Sequence, residues 1–156
     1  MTITEAVAVL DREFVIPQAE DFDNVGLLCG DPTQQLTGIL ICHDALECVV
    51  DEAREKKVNL IVTFHPIIFS GLKSITGKNY VERAVLNALA NGISIYAIHT
   101  AFDNNFFGVS HGMCRMLHLQ NEQILMPRQK MLKKLEVYVP ENYTEIVRDE
   151  LLKAGA

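Results

Sequence analysis

Leu60-Ile61-Val62-Thr63-Phe64-His65-Pro66 and Ile93-Ser94-Ile95-Tyr96-Ala97-Ile98-His99-Thr100-Ala101-Phe102-Asp103 decide the fold. Each starts as a short apolar run rich in β-branched and aromatic residues, the pattern of a strand covered on both faces. Each run then meets a histidine. In open α/β sheets the carboxyl ends of parallel strands face the ligand crevice, so two imidazoles and a carboxylate delivered by separate strands can converge there. Neutral imidazole with carboxylate is a metal-binding combination. One histidine at a strand end is more often a hydrogen-bonded surface or core residue. Two of them, with Asp103 four residues past the second, favour the metal reading.

Outward from these runs, helical patterns alternate with strand patterns. Thr2 and Glu5 have capping-box spacing, and Ile3, Val7, Leu10 and Phe14 recur at helical intervals, predicting a helix to about Val15 that Pro17 ends. Asp21 to Gly26 is turn chemistry, and its acidic pair is expected to order a loop rather than bind a ligand. Gly38 to Cys42 reads as a short buried strand, and Asp44 is placed to cap a helix carrying Val49, Val50 and Ala53. Val81 to Leu89 marks another helix, stopped by Asn91-Gly92. A strand ending at His99, an Asn/Gly-rich loop and a helix with Val109, Met113, Met116 and Leu117 follow. This alternation predicts an α/β fold with a largely parallel or mixed sheet and helices on both faces.

After Pro127 the pattern changes. Leu135, Val137 and Val139 alternate with polar neighbours as in a half-exposed strand, and a helix after Pro140 turns Tyr143, Ile146, Val147 and Leu151 inward. A strand and a helix cannot enclose a core, so two parts are expected: a lobe over residues 1–126, and over 127–156 a linker with the opening of a larger βα domain.

The 156 residues carry 49% hydrophobic side chains and a net charge of -6, which places the chain among globular proteins. The one dense basic patch, Arg128, Lys130, Lys133 and Lys134, is too local for a nucleic-acid footprint. Cys29, Cys42, Cys48 and Cys114 form no C-x-x-C pair and read as reduced core thiols. With neither a signal-peptide pattern nor a membrane-length apolar run, a cytoplasmic protein is expected.

Asp23-Asn24-Val25-Gly26-Leu27, Phe64-His65-Pro66-Ile67-Ile68-Phe69 and His99-Thr100-Ala101-Phe102-Asp103-Asn104 together resemble the Nif-three-like family, the GTP cyclohydrolase I type 2 homologues. The resemblance covers residues 1 to about 126 and implies two similar α/β lobes, a ring-shaped homohexamer and a dinuclear metal site in the cleft between lobes. It assigns His65, His99 and Asp103 to that site, with two divalent ions drawn from zinc, iron, manganese, nickel or cobalt. The chain departs from the family at two points. Phe64 stands where the commoner motif has the first of two adjacent histidines, and the second lobe's histidine and glutamate have no counterpart, so the ligand set is incomplete. Residues 133–156 resemble the opening of a domain that some members insert between the lobes.

Three function classes follow: a metal-dependent hydrolase of a nucleotide or other phosphorylated small molecule, a regulatory or scaffold protein with structural metals, and an α/β binding module without metal. For the first, Asp103 is the natural bridging carboxylate and His43 a candidate substrate contact. Cys42 and Cys48 are read as core residues, and His111 and His118 as solvated or capping groups.

Overall fold

The computed structural model describes residues 1–127 and 135–155. The chain divides into two compact units, residues 1–123 and 124–156. Among the described residues, no helix is long and apolar enough to cross a membrane.

The first unit opens with α1, Ile3–Glu13, closed at its start by the expected reciprocal cap: the Glu5 N–H donates to the Thr2 hydroxyl at 3.2 Å, and the Thr2 N–H to the Glu5 carboxylate at 2.8 Å. The helix stops two residues short of Val15, because Val15 takes a left-handed φ of 49° ahead of a 3-10 turn, Ile16–Gln18, that holds Pro17. The strands are β1 (Gly26–Cys29), β2 (Ile39–Asp44), β3 (Leu60–His65) and β4 (Ser94–Ala97). They form one sheet in the order β1-β4-β3-β2, with β1 antiparallel to β4 and the other pairs parallel.

Helices cover both faces, as the alternation predicted. Helices α2 (Glu47–Glu55) and α3 (Tyr80–Ala90) supply Val50, Ala53, Ala84, Val85 and Ala88 to a core with Ile61 and Ile95. On the opposite face Ile3 and Ala6 of α1 pack with Leu60, Val62 and Tyr96. Ile61 and Ile95 point one way and Leu60, Val62 and Tyr96 the other, so β3 and β4 are buried on both sides. That explains why their sequences read as continuous apolar runs. The fully buried Tyr96 ring still finds a partner, its hydroxyl donating to Asp11 at 2.7 Å. Asn91 and Gly92, the latter at φ 64°, end α3 as the sequence predicted.

Three expectations are corrected. The strand read as buried at Gly38–Cys42 is the sheet edge, with Ile39 45% and Ile41 79% exposed, because a four-residue apolar run does not reveal which side lacks a neighbour. Asp44 caps no helix: Leu46 holds the N-cap of α2 without a side-chain bond, while both Asp44 oxygens are taken by histidines. The strand expected to reach His99 ends at Ala97, and His99 opens a short helix, α4 (His99–Asp103), followed by α5 (Val109–Met116).

In the second unit a 3-10 turn, Glu141–Tyr143, leads into α6, Thr144–Lys153. The strand expected at 135–139 is not formed, since a lone strand has no ladder to satisfy its N–H and C=O groups. Tyr143 and Ile146, expected inward, are exposed, while Val147 and Leu151 are half-buried. The basic patch at Arg128, Lys130, Lys133 and Lys134 lies outside the described residues.

Two predictions test this packing. Ile61→Ala removes a fully buried side chain between two layers and costs about 2–5 kcal/mol, whereas Ile41→Ala on the edge costs about 0.5 kcal/mol or less; urea unfolding of both variants checks it. Glu82 accepts the Thr76 N–H at 2.8 Å and the Lys78 N–H at 3.0 Å, and these bonds lower its pKa below the ordinary 4.5. A lowered carboxylate pKa stabilises the fold above the ordinary value and loses that contribution as pH falls through the folded value. The Tm gap between wild type and Glu82→Gln is therefore full above pH 4.5 and closes in more acidic buffer.

Candidate metal centre

The site is built at the carboxyl ends of β2, β3 and β4. The parallel register Cys42↔Thr63 and Asp44↔His65 sets the end of β2 beside the end of β3, and Thr63↔Ala97 sets β4 on the other side of β3. Ile98 donates its N–H to Thr63 O at 3.1 Å, and the chain then turns into α4, which brings the His99 ring to 5.5 Å from that of His65. The two histidines expected to converge are thus neighbours.

Each is oriented by a carboxylate. His99 Nδ1 lies 2.9 and 3.0 Å from the two oxygens of Asp23, whose side chain is 0% exposed. An ionised carboxylate only accepts, so Nδ1 carries the proton and Nε2 keeps its lone pair. Asp23 also accepts the Thr100 N–H at 3.1 Å, the Thr100 hydroxyl and the Asn24 N–H at 2.8 Å. Burial works to raise the Asp23 pKa, but the bonds from His99, Thr100 and Asn24 together outweigh it and hold the group below its ordinary value. His65 is treated alike: Asp44 Oδ1 meets His65 Nδ1 at 2.8 Å, while Oδ2 meets His43 Nδ1 at 2.9 Å. The His43 bond first, and then the His65 bond, lower the Asp44 pKa.

His43, Asp44 and His65 place three ligating atoms within 4.8 Å of one another, a His/Asp group with the spacing of a metal site. The Nδ1–carboxylate separations of 2.8 and 2.9 Å are nevertheless shorter than the roughly 3.3 Å between adjacent ligands of a tetrahedral ion with 2.0–2.1 Å bonds. They are hydrogen bonds, so an ion held here would have to take its nitrogen ligands from the Nε2 atoms. Asp103 is the last residue of α4, one helical turn beyond His99 and exposed; it makes no hydrogen bond or ion pair with His65 or His99. A cavity of about 240 Å³ opens beside Asp44 and His65, with Leu46, Ile67 and Tyr80 in its lining.

Residues 1–153 match the model of one protein family, described as Duf34/NIF3 (NGG1p interacting factor 3). The chain belongs to that family. It is 34% identical over 155 residues to a Staphylococcus epidermidis protein named GTP cyclohydrolase 1 type 2 homolog, covering 99% of this chain and 42% of that one. A Staphylococcus aureus protein of the same name is 33% identical over the same span. The NIF3-related protein of Bacillus cereus superposes with a TM-score of 0.80 at 30% identity, covering 100% of this chain and 44% of the other. A Staphylococcus aureus hypothetical protein gives 0.73 at 36% identity, over 78% of this chain and 34% of its own. This NIF3 chain thus spans less than half the length of the relatives it matches.

Two positioning residues were not recognised in the sequence. Asp23 does order a loop, as expected, but the same carboxylate positions a candidate ligand that lies 76 residues away. Asp44 has the spacing of a helix cap in the sequence, and its carboxylate instead orients His65. His111, read as solvated, is only 20% exposed in its side chain and pairs with Glu122, an interaction with no local signature. All four cysteines are unpaired, as expected, although Cys48 is exposed rather than in the core.

Asp23→Ala tests the arrangement without metal. Long-range proton–nitrogen NMR finds neutral His99 with its proton on Nδ1 in the wild type; the variant shifts the population toward Nε2–H. An unchanged tautomer would show that Asp23 does not orient the ring.

Proposed function

We propose that this NIF3 chain binds divalent metal through His65, His99 and Asp103, and that in the longer protein the site serves a metal-dependent hydrolase of a nucleotide or other phosphorylated small molecule. The observation that carries the reading is the pair of imidazoles 5.5 Å apart, each with Nδ1 held by its own aspartate. A carboxylate that fixes the tautomer and ring plane is the usual support of a ligating histidine. The donor set of nitrogen and oxygen suits zinc, iron, manganese, nickel or cobalt, and two such ions are the expectation from the sequence.

When bound, such an ion would supply Lewis-acid chemistry and lower the pKa of a coordinated water toward about 7. The chain's own part is to hold and orient. Asp23 and Asp44 fix the two rings, Asp103 contributes the exposed carboxylate, and the neighbouring cavity offers room for a small ligand. Among the described residues, no Lys or Arg lines that cavity. A nucleotide is the substrate class suggested by the name the relatives carry. A cytoplasmic setting fits the unpaired cysteines, and the hexameric ring expected from the resemblance completes the proposal.

Elemental analysis after equilibration with zinc or manganese and removal of free ion tests the binding. The wild-type chain retains metal, while His99→Ala and Asp103→Ala each weaken retention about tenfold or more. Retention equal to wild type in both variants would defeat the assignment. Stoichiometric metal with no phosphate or nucleotide turnover in the longer protein would reduce the role to a structural one.

A further inference from the structure

Among the described residues, His43 is an imidazole at this strand edge that the proposed ligand set leaves unused. Its position is set by the sheet. With Cys42 opposite Thr63 and Asp44 opposite His65, His43 falls beside Phe64 on the neighbouring parallel strand, and the two rings stack at 5.4 Å with planes 17° apart. Phe64 is the residue that stands where a first histidine was expected before Pro66. An imidazole is therefore absent from β3 at that point and present on β2 immediately next to it.

A surface histidine paired to a neighbouring aspartate is ordinarily unremarkable, and the His43 side chain is 68% exposed. Two observations set this one apart. Its ring lies 4.4 Å from that of His65, and both rings donate from Nδ1 to opposite oxygens of the single Asp44 carboxylate. One carboxylate thus fixes two imidazoles in the same tautomer, each left with an Nε2 lone pair. Stacking on Phe64 fixes the plane of His43 from the other side, where a free surface histidine would rotate about χ1 and χ2.

We propose that His43 is a metal ligand of this centre, supplying from β2 the imidazole that Phe64 does not supply from β3. The inference rests on the metal-binding reading above and replaces the substrate contact expected for His43. The centre then has three nitrogen donors, His43, His65 and His99, each oriented through Nδ1, together with the carboxylate of Asp103. Such a set suits a borderline ion such as zinc or cobalt.

The test uses Co2+ alone as the probe on the 156-residue chain, reading both its visible absorption and its affinity by competition with a chelator. His43→Phe keeps a stacking ring and removes the nitrogen; Phe64→His in the same chain returns a nitrogen one strand away. The expected result is an affinity about tenfold or more weaker, with an altered Co2+ spectrum, in His43→Phe, and return to within about threefold of wild type in the double variant. His43→Phe binding like wild type, while His65→Ala and His99→Ala lose the ion, would overturn the role of His43 and leave the metal reading intact. Loss without recovery in the double variant would overturn the exchange of one strand position for the other. A wild-type chain that takes up no Co2+ would defeat both. Circular dichroism of each variant separates these outcomes from unfolding, which the exposure of His43 makes a minor risk.

Discussion

The buried carboxylate of Asp23 ties the first unit together at the point where function is placed. It receives donors from His99, Thr100 and Asn24, while Thr100 Oγ1 also accepts the Glu20 N–H at 3.0 Å and Asn24 donates to Ile68 O. Through these bonds the loop before β1 is fastened both to the start of α4 and to the segment that follows β3. A carboxylate with 0% side-chain exposure is tolerable only when its lone pairs are filled, and here they are. Losing any one donor would leave a buried charge under-compensated, which is why the Asp23-Asn24-Val25-Gly26 turn and the His99-Thr100 pair behave as one unit.

The sheet supplies the second constraint. Parallel pairing of β2, β3 and β4 brings their carboxyl ends to one edge, and the register then decides which side chains meet. A shift of β2 by one residue would exchange the faces on which His43 and Asp44 lie and undo the shared contact with His65. Burial of β3 and β4 on both faces makes such a slip costly on their side of the sheet; β2, on the open edge, is held by its ladder to β3 and by the bond ahead of it, where the Thr37 N–H donates to Asn59 Oδ1 at 2.8 Å.

This division also explains how much could be read from the sequence. The α/β class, the sheet's helices on both faces and the histidine at the end of β3 were legible because periodicity and turn residues report local burial, as at Leu60–Val62 and Asn91-Gly92. Long-range electrostatics leave no such trace. Nothing near Asp23 indicates a partner at His99, and Asp44 has the spacing of a helix cap relative to Glu47, so a local rule competed with a cross-strand bond and lost. The edge position of β2 was hidden for the same reason: Ile39 and Ile41 are as apolar as buried strand residues, and only the strand order shows that nothing pairs beyond them within this unit.

Residues 135–139 carry the opposite lesson. Their alternation is a good strand signature, yet a strand is a pairing rather than a property of one segment, and among the described residues of the second unit no ladder exists for it. Helix α6 forms beside them because a helix satisfies its own backbone, although its apolar side chains stay largely exposed. The chain covers 42% of the Staphylococcus epidermidis relative. Ile39 and Ile41 on the sheet edge, Tyr143 at the end of the 3-10 turn and Ile146 on α6 are left exposed. The His65 and His99 rings differ from them in kind: they are already held by Asp44 and Asp23, so their orientation does not wait on further packing.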